Sequence, residues 1–134
     1  MKKCFAAVFA LMLLLSMTAC GGNVGNVRIG DCYSEIYSAA EMDAAIDVTL
    51  RYFQKQFSGC TLTEISYLGD EKLEGYRDFA ERNGADDVIV LVSSFDVDAS
   101  GGDSSLNPNS TYTNWKWILV REGSGQWKHV DHGY

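Results

Sequence analysis

Asp87-Val88-Ile89-Val90-Leu91-Val92-Ser93-Ser94-Phe95-Asp96-Val97 is the stretch that decides the fold. A continuous apolar run from Val88 to Val92 passes into alternation through Phe95 and Val97, which is the pattern of a central strand. Thr61 to Leu68, rich in β-branched and aromatic residues and closed by Gly69-Asp70, predicts a strand before it. Two more follow. Thr111 to Arg121 sets Trp115, Trp117 and Leu119 on one face with Lys116, Ile118 and Val120 on the other, so both faces are at least partly covered. Glu122-Gly123-Ser124-Gly125 then closes a hairpin to a last strand, Gln126 to His132.

Helices flank the first of these strands. Ser38-Ala39-Ala40-Glu41 is a capping box, in which a hydroxyl and a carboxylate satisfy orphan amides at a helix start. Met42, Ala45, Ile46, Thr49, Phe53 and Phe57 follow at steps of three and four, with Asp43, Asp47, Arg51 and Lys55 left wet and Gly59 as the stop. A second helix is predicted between Asp70 and Asn83-Gly84, its face made of Leu73, Tyr76 and Ala80 with Phe79 beside them, weakened by Gly75. The expected fold is therefore α+β, with two helices packed on one face of a curved antiparallel sheet of about four strands.

The chain opens differently. Lys2 and Lys3 precede an apolar run from Phe5 to Leu15, and Met17-Thr18-Ala19 stand before Cys20. Cations that stay at an anionic inner leaflet, an apolar stretch for the translocon and small residues before a cysteine predict a lipoprotein signal peptide over residues 1–19, with Cys20 carrying the lipid. The alternative is cleavage without lipidation, since Met17 stands where such signals usually have leucine; a transmembrane anchor is disfavoured because the run falls short of the roughly 20 residues a bilayer requires. Residues 20–30 are then expected to be the lipidated cysteine and a flexible tether, and residues 31–134 one domain. Losing a 19-residue leader from the 134 residues would leave 115, and losing Lys2 and Lys3 would take the net charge from −7 to −9. Nucleic acid is excluded as a partner on that charge; the membrane, through the lipid, is the expected one.

Cys4 leaves with the signal, so Cys32 and Cys60 are the remaining thiols in an oxidising location, which suggests a disulfide. A helix from Ala39 to Ser58 would be about 30 Å long, and the six residue steps from Cys32 to Ser38 reach only about 20 Å. The bridge is near its geometric limit, and two thiols with Cys60 buried as a small hydrophobe is the competing reading.

Several blocks are more specific than their composition. Phe57-Ser58-Gly59-Cys60-Thr61-Leu62-Thr63-Glu64, Phe95-Asp96-Val97-Asp98 with Ser100-Gly101-Gly102-Asp103, Leu106 to Tyr112, Asn114-Trp115, Trp117 to Val120 and Gly133-Tyr134 together span nearly the whole domain. The chain resembles a family of small uncharacterised bacterial secreted lipoproteins that carry a domain of unknown function. That resemblance implies a cystatin-like, nuclear transport factor 2-like fold with a conical sheet and room for a pocket. It implies no activity, because such a fold hosts enzymes, binding modules and assembly domains alike.

Three constellations carry candidate chemistry. Asp96, Asp98, Ser100 and Asp103, with glycine at the sixth position, match the first half of a helix-hand calcium loop. Asn107 at the twelfth position, where the bidentate glutamate belongs, favours a plain strand end and turn instead. His129 and Asp131 share a face by strand alternation and could form an acid–base pair, whereas His129 and His132, three apart, should face opposite ways. Tyr67, Tyr112, Trp115, Trp117 and Trp127 could line a ligand pocket, or simply fill the core. Neither thiol sits in a nucleophile signature and no serine lies in Gly-x-Ser-x-Gly. The leading expectation is a lipid-anchored extracytoplasmic module that binds a ligand or a protein without catalysis and without a cofactor. The alternatives are a small pocket enzyme using the His/Asp pair and a structural calcium-binding surface domain.

Overall fold

The capping box forms as its residues dictate: in the computed structural model, which describes residues 21–134 except the side chains of Asp103 and Ser104, Ser38 Oγ accepts from the Glu41 amide and Glu41 accepts from the Ser38 amide. The helix it starts, α1 (Ala39–Gln56), buries Met42, Ala45, Ile46, Thr49 and Phe53. Phe57 extends the stripe past the last turn, and its amide donates to the Phe53 carbonyl. The expected signal peptide and the lipid site at Cys20 lie outside the described residues. Among the described residues no helix is long and apolar enough to cross a membrane.

The sheet has five strands rather than about four, in the order β1 (Arg28–Ile29), β2 (Cys60–Tyr67), β3 (Asp87–Val97), β4 (Thr111–Arg121) and β5 (Lys128–Gly133). β1 runs parallel to β2 and the other neighbours are antiparallel. The added strand comes from the segment expected to be a loose tether. Gly22 donates to Gln54, Asn23 exchanges bonds with Cys60 and Leu62, and Gly30 donates to Ile65. The outer edge of β2 offers backbone groups that must be satisfied, and residues 22–30 satisfy them. Gly22 also has to be small: a Cβ there would stand 2.4 Å from the Phe53 carbonyl oxygen.

The predicted second helix divides in two. A 3-10 segment, Asp70–Tyr76, runs into a short α2, Arg77–Arg82. Gly69 supplies no capping side chain, and Gly75 interrupts the run of helix formers where the two pieces meet. A further turn, α3 (Gly101–Ser104), forms within the segment expected to be irregular.

Three bulges curve the sheet. They place an extra residue at Thr63 in β2, in the Thr113-Asn114 region of β4, where Asn114 has φ 56°, and at Val130 in β5. α1 lies over Trp117 and Phe95, with Phe53 at ring-centroid distances of 6.2 and 5.7 Å from them. Trp117, wholly buried, donates from Nε1 to Ser93 Oγ at 2.8 Å. On the alternate positions Val88, Val90, Ile118 and Val120 are buried as well, and α2 contacts these two strands. Burial is therefore not confined to the face α1 covers, which explains the unbroken apolar run in β3.

Candidate functional site

An open cleft of about 280 Å³ lies at the C-terminal end of α1. Tyr52, Gln56 and Phe57 come from the helix region, Trp115 from β4, His132 from β5, and Cys60, Gly102, Ser105 and Leu106 close the far side. The aromatic walls interlock. The Trp115 and His132 rings stack at 5.8 Å and 27°, Phe57 meets His132 edge-on at 5.5 Å, and the Trp117 ring lies 5.2 Å from that of His132. Trp115 Nε1 is buried with no hydrogen-bond partner among the described residues.

The histidines owe their placement to the β5 bulge. Leu119 pairs with His129 but Ile118 pairs with Asp131, so Val130 is the extra residue and the alternation changes phase. His129 and His132, expected on opposite faces, come together with Nε2 and Nδ1 3.2 Å apart and rings stacked at 18°. Tyr52 covers His129 at 4.0 Å. The expected His129–Asp131 side-chain pair is not assembled: Asp131 is exposed and its carboxylate accepts from the His132 amide.

Burial pushes the His129 imidazole down to about 4, helped by the neighbouring His132 and opposed by Asp131. Burial lowers His132 as well. The unfolded chain therefore takes up protons on these rings before the folded one does. Their contribution to stability is intact above pH 6.5 and is lost as the pH falls toward about 4. Thermal melts across that window should show a falling midpoint, and His129→Gln should flatten the fall; a wild-type midpoint constant over the window would contradict the burial of the pair.

The other predicted ligand-pocket residues divide between the cleft and distant places. Trp115 lines the cleft, whereas Tyr112, stacked on Phe95 at 5.2 Å and 5.5 Å from Trp115, and Trp117, 5.1 Å from Phe57, stand behind its wall. Tyr67 ends β2 and donates to Asp70, whose carboxylate also holds Ser34 Oγ and the Glu35 amide. Trp127 donates to the Glu41 carbonyl, and Arg121 lies over its ring at 4.4 Å. Tyr52, Phe57 and His132 were missed as ligand-facing residues, although Tyr52 and Gln56 stand four apart on the flank of the α1 stripe.

Asp96 and Asp98, two of the candidate calcium residues, accept hydrogen bonds from within the chain. Asp98 accepts from the Ser100 amide and hydroxyl, which hold its carboxyl below the usual range, and Asp96 accepts from Thr111 Oγ1 at 2.7 Å. Gly59, at φ 77°, lets this turn close, since a Cβ would stand 2.8 Å from Asp98 Oδ1. Asp103 falls in α3, and its side chain is outside the description. Among the described residues no three His, Cys, Asp or Glu side chains converge to hold a metal.

Cys32 and Cys60 are not disulfide-bonded. Cys32 lies against the main chain of Tyr67, whereas Cys60 opens the same strand seven residues earlier. That separation is about 23 Å along a strand, against the 4.4–6.8 Å between α-carbons that a disulfide spans.

No family model, curated protein or solved structure matches the chain. The site's chemistry thus rests on its own residues, which offer flat aromatic walls and the imidazole of His132, a set suited to holding a small molecule.

Proposed function

We propose that this protein is an extracytoplasmic lipoprotein, anchored to the outer face of the membrane through Cys20, that binds a small ligand in the aromatic cleft without catalysing its conversion. The ligand has a flat face, a sugar ring or an aromatic group, because rings such as Trp115, Phe57 and Tyr52 hold such faces by stacking. We also place the chain with the uncharacterised bacterial lipoproteins it resembles, and its sheet with the cystatin-like, nuclear transport factor 2-like folds. A long helix laid across a bulged antiparallel sheet, with a cleft at one end, supports that placement.

One observation carries the functional reading. Side chains from α1, β4, β5 and the segment beyond α3 converge on one open cleft, with the imidazole of His132 in its wall. A thermal-shift series across cell-wall fragments, sugars and metabolites should find a ligand that adds about 2.7 kcal/mol at a hundred times its dissociation constant. Trp115→Ala should abolish that gain. A flat response across the panel, or a gain that survives Trp115→Ala, would contradict the reading. The anchoring is read separately: the intact mass of membrane-extracted protein should show a lipid on Cys20 and no residue before it, and an unmodified Cys20 would remove that part of the proposal.

A further inference from the structure

We propose that His129 and His132 form a two-imidazole site for a divalent transition-metal ion, with zinc the ion whose geometry it fits best. Two imidazole nitrogens bound to one tetrahedral zinc at ~2.0 Å stand about 3.3 Å from each other. His129 Nε2 and His132 Nδ1 stand 3.2 Å apart. The match belongs to the sheet and not to a mobile loop. Asp131 and His129 are both in register with β4, at Ile118 and Leu119, and the bulged Val130 between them sets the spacing.

The surrounding groups prepare the pair. The facing nitrogens, His129 Nε2 and His132 Nδ1, are within hydrogen-bond distance of one another, so one ring's N–H donates to the other ring's nitrogen, and a metal ion bound there takes the place of that proton. Tyr52 stacks on His129, and Trp115 and Trp117 pack against His132, so neither ring is loosely held. Imidazole donors select zinc, copper or nickel over calcium and magnesium, which separates this site from the Asp96 and Asp98 oxygens.

The protein supplies two donors, and His132 borders the open cleft. Two coordination positions are thus left for water or for a donor atom of a bound molecule, the arrangement of a site that presents a metal to a ligand. The pair stands on its own geometry, whatever organic molecule the cleft accepts, so this proposal and the preceding one fail separately.

The purified protein, stripped with a chelator, is titrated with Co²⁺ and then Zn²⁺. One equivalent of Co²⁺ should give the visible absorption bands of a tetrahedral nitrogen-ligated ion, zinc should displace it, and calcium should not. His129→Gln and His132→Gln should each weaken zinc binding by about tenfold or more. Imidazole ¹⁵N spectra of the unaltered protein give the same answer without a variant: zinc should move the signals of His129 Nε2 and His132 Nδ1. An absent cobalt spectrum, unmoved imidazole signals, or metal binding retained in both variants would overturn the proposal.

Discussion

Replacing Trp117 with alanine is expected to cost about 4 kcal/mol of folding stability. The indole is wholly buried, touches Phe53, Phe57, Tyr52 and both histidines, and is the largest side chain that the core encloses completely. Its loss leaves a cavity that α1 cannot close, because that helix is held at its start by the Arg121–Glu41 ion pair and the Trp127 bond to the Glu41 carbonyl, and at its end by the bond from Gly22 to Gln54. It also strips Ser93 Oγ of its donor. Urea denaturation of the variant should show the whole of this loss, and the cleft should lose its shape with it, since Trp117 backs His132. A loss below about 1.5 kcal/mol would mean that the helix and the sheet do not meet through this ring.

Arg121→Ala is expected to cost about 3 kcal/mol through a different mechanism. The guanidinium is 12% exposed and lies between Glu41 on α1 and Asp87 on β3, at 2.7 and 2.9 Å, while its face covers Trp127 and approaches Tyr37. It ties the start of the helix to the far end of the sheet from the cleft. Truncation leaves two carboxylates facing one another and removes a cation from two aromatic faces. Tyr37, which donates to the Val88 carbonyl, is held up to about 12 by its burial and by Asp87, so it stays a hydrogen-bond donor and cannot replace the lost charge pairing. Arg121→Met restores the packing but not the charge, so it should recover only part of the loss. Equal stability of the methionine variant and the unaltered protein in urea at low salt would show that the ion pairs contribute nothing net.

The elements that could be read in the sequence are those specified by their own residues. Ser38 with Glu41, and the stripe from Met42 to Phe57, specify α1 locally, and the apolar run from Val88 and the alternation around Trp117 specify β3 and β4. β1 is different. Arg28 and Ile29 carry no pattern of their own, and what makes them a strand is the open edge of β2 thirty-six residues later. The long tether expected there was a reading of small, uncharged residues, and those same residues allow the close approach to Phe53.

The candidate site was legible in its parts and not in its assembly. Trp115, Trp117 and Tyr112 stood out as aromatic, but so did Tyr67 and Trp127, and ring content does not say which end of a strand faces the helix. The decisive feature is the extra residue in β5. Whether Val130 bulges depends on how β5 registers against Ile118 and Leu119, a property of the pair of strands, so alternation along β5 alone assigns His132 to the wrong face. With that one-residue shift the imagined His129–Asp131 pair disappears and the His129–His132 pair takes its place. The candidate calcium oxygens illustrate a related point: spacing shows which groups could converge, and the turn at Gly59 and Ser100 decides that Asp98 spends its carboxylate within the chain.

Under the proposed function, a ligand enters the cleft between α1 and β4–β5. NMR titration of the isotope-labelled protein with the sugars, cell-wall fragments and metabolites of the stabilisation panel tests it most directly. A compound that binds should shift the indole signal of Trp115, the ring signals of Tyr52 and Phe57 and the imidazole of His132, while the indole of Trp127 stays unmoved. Shifts that gather around Trp127 and Arg121, or no shifts from any compound, would contradict it.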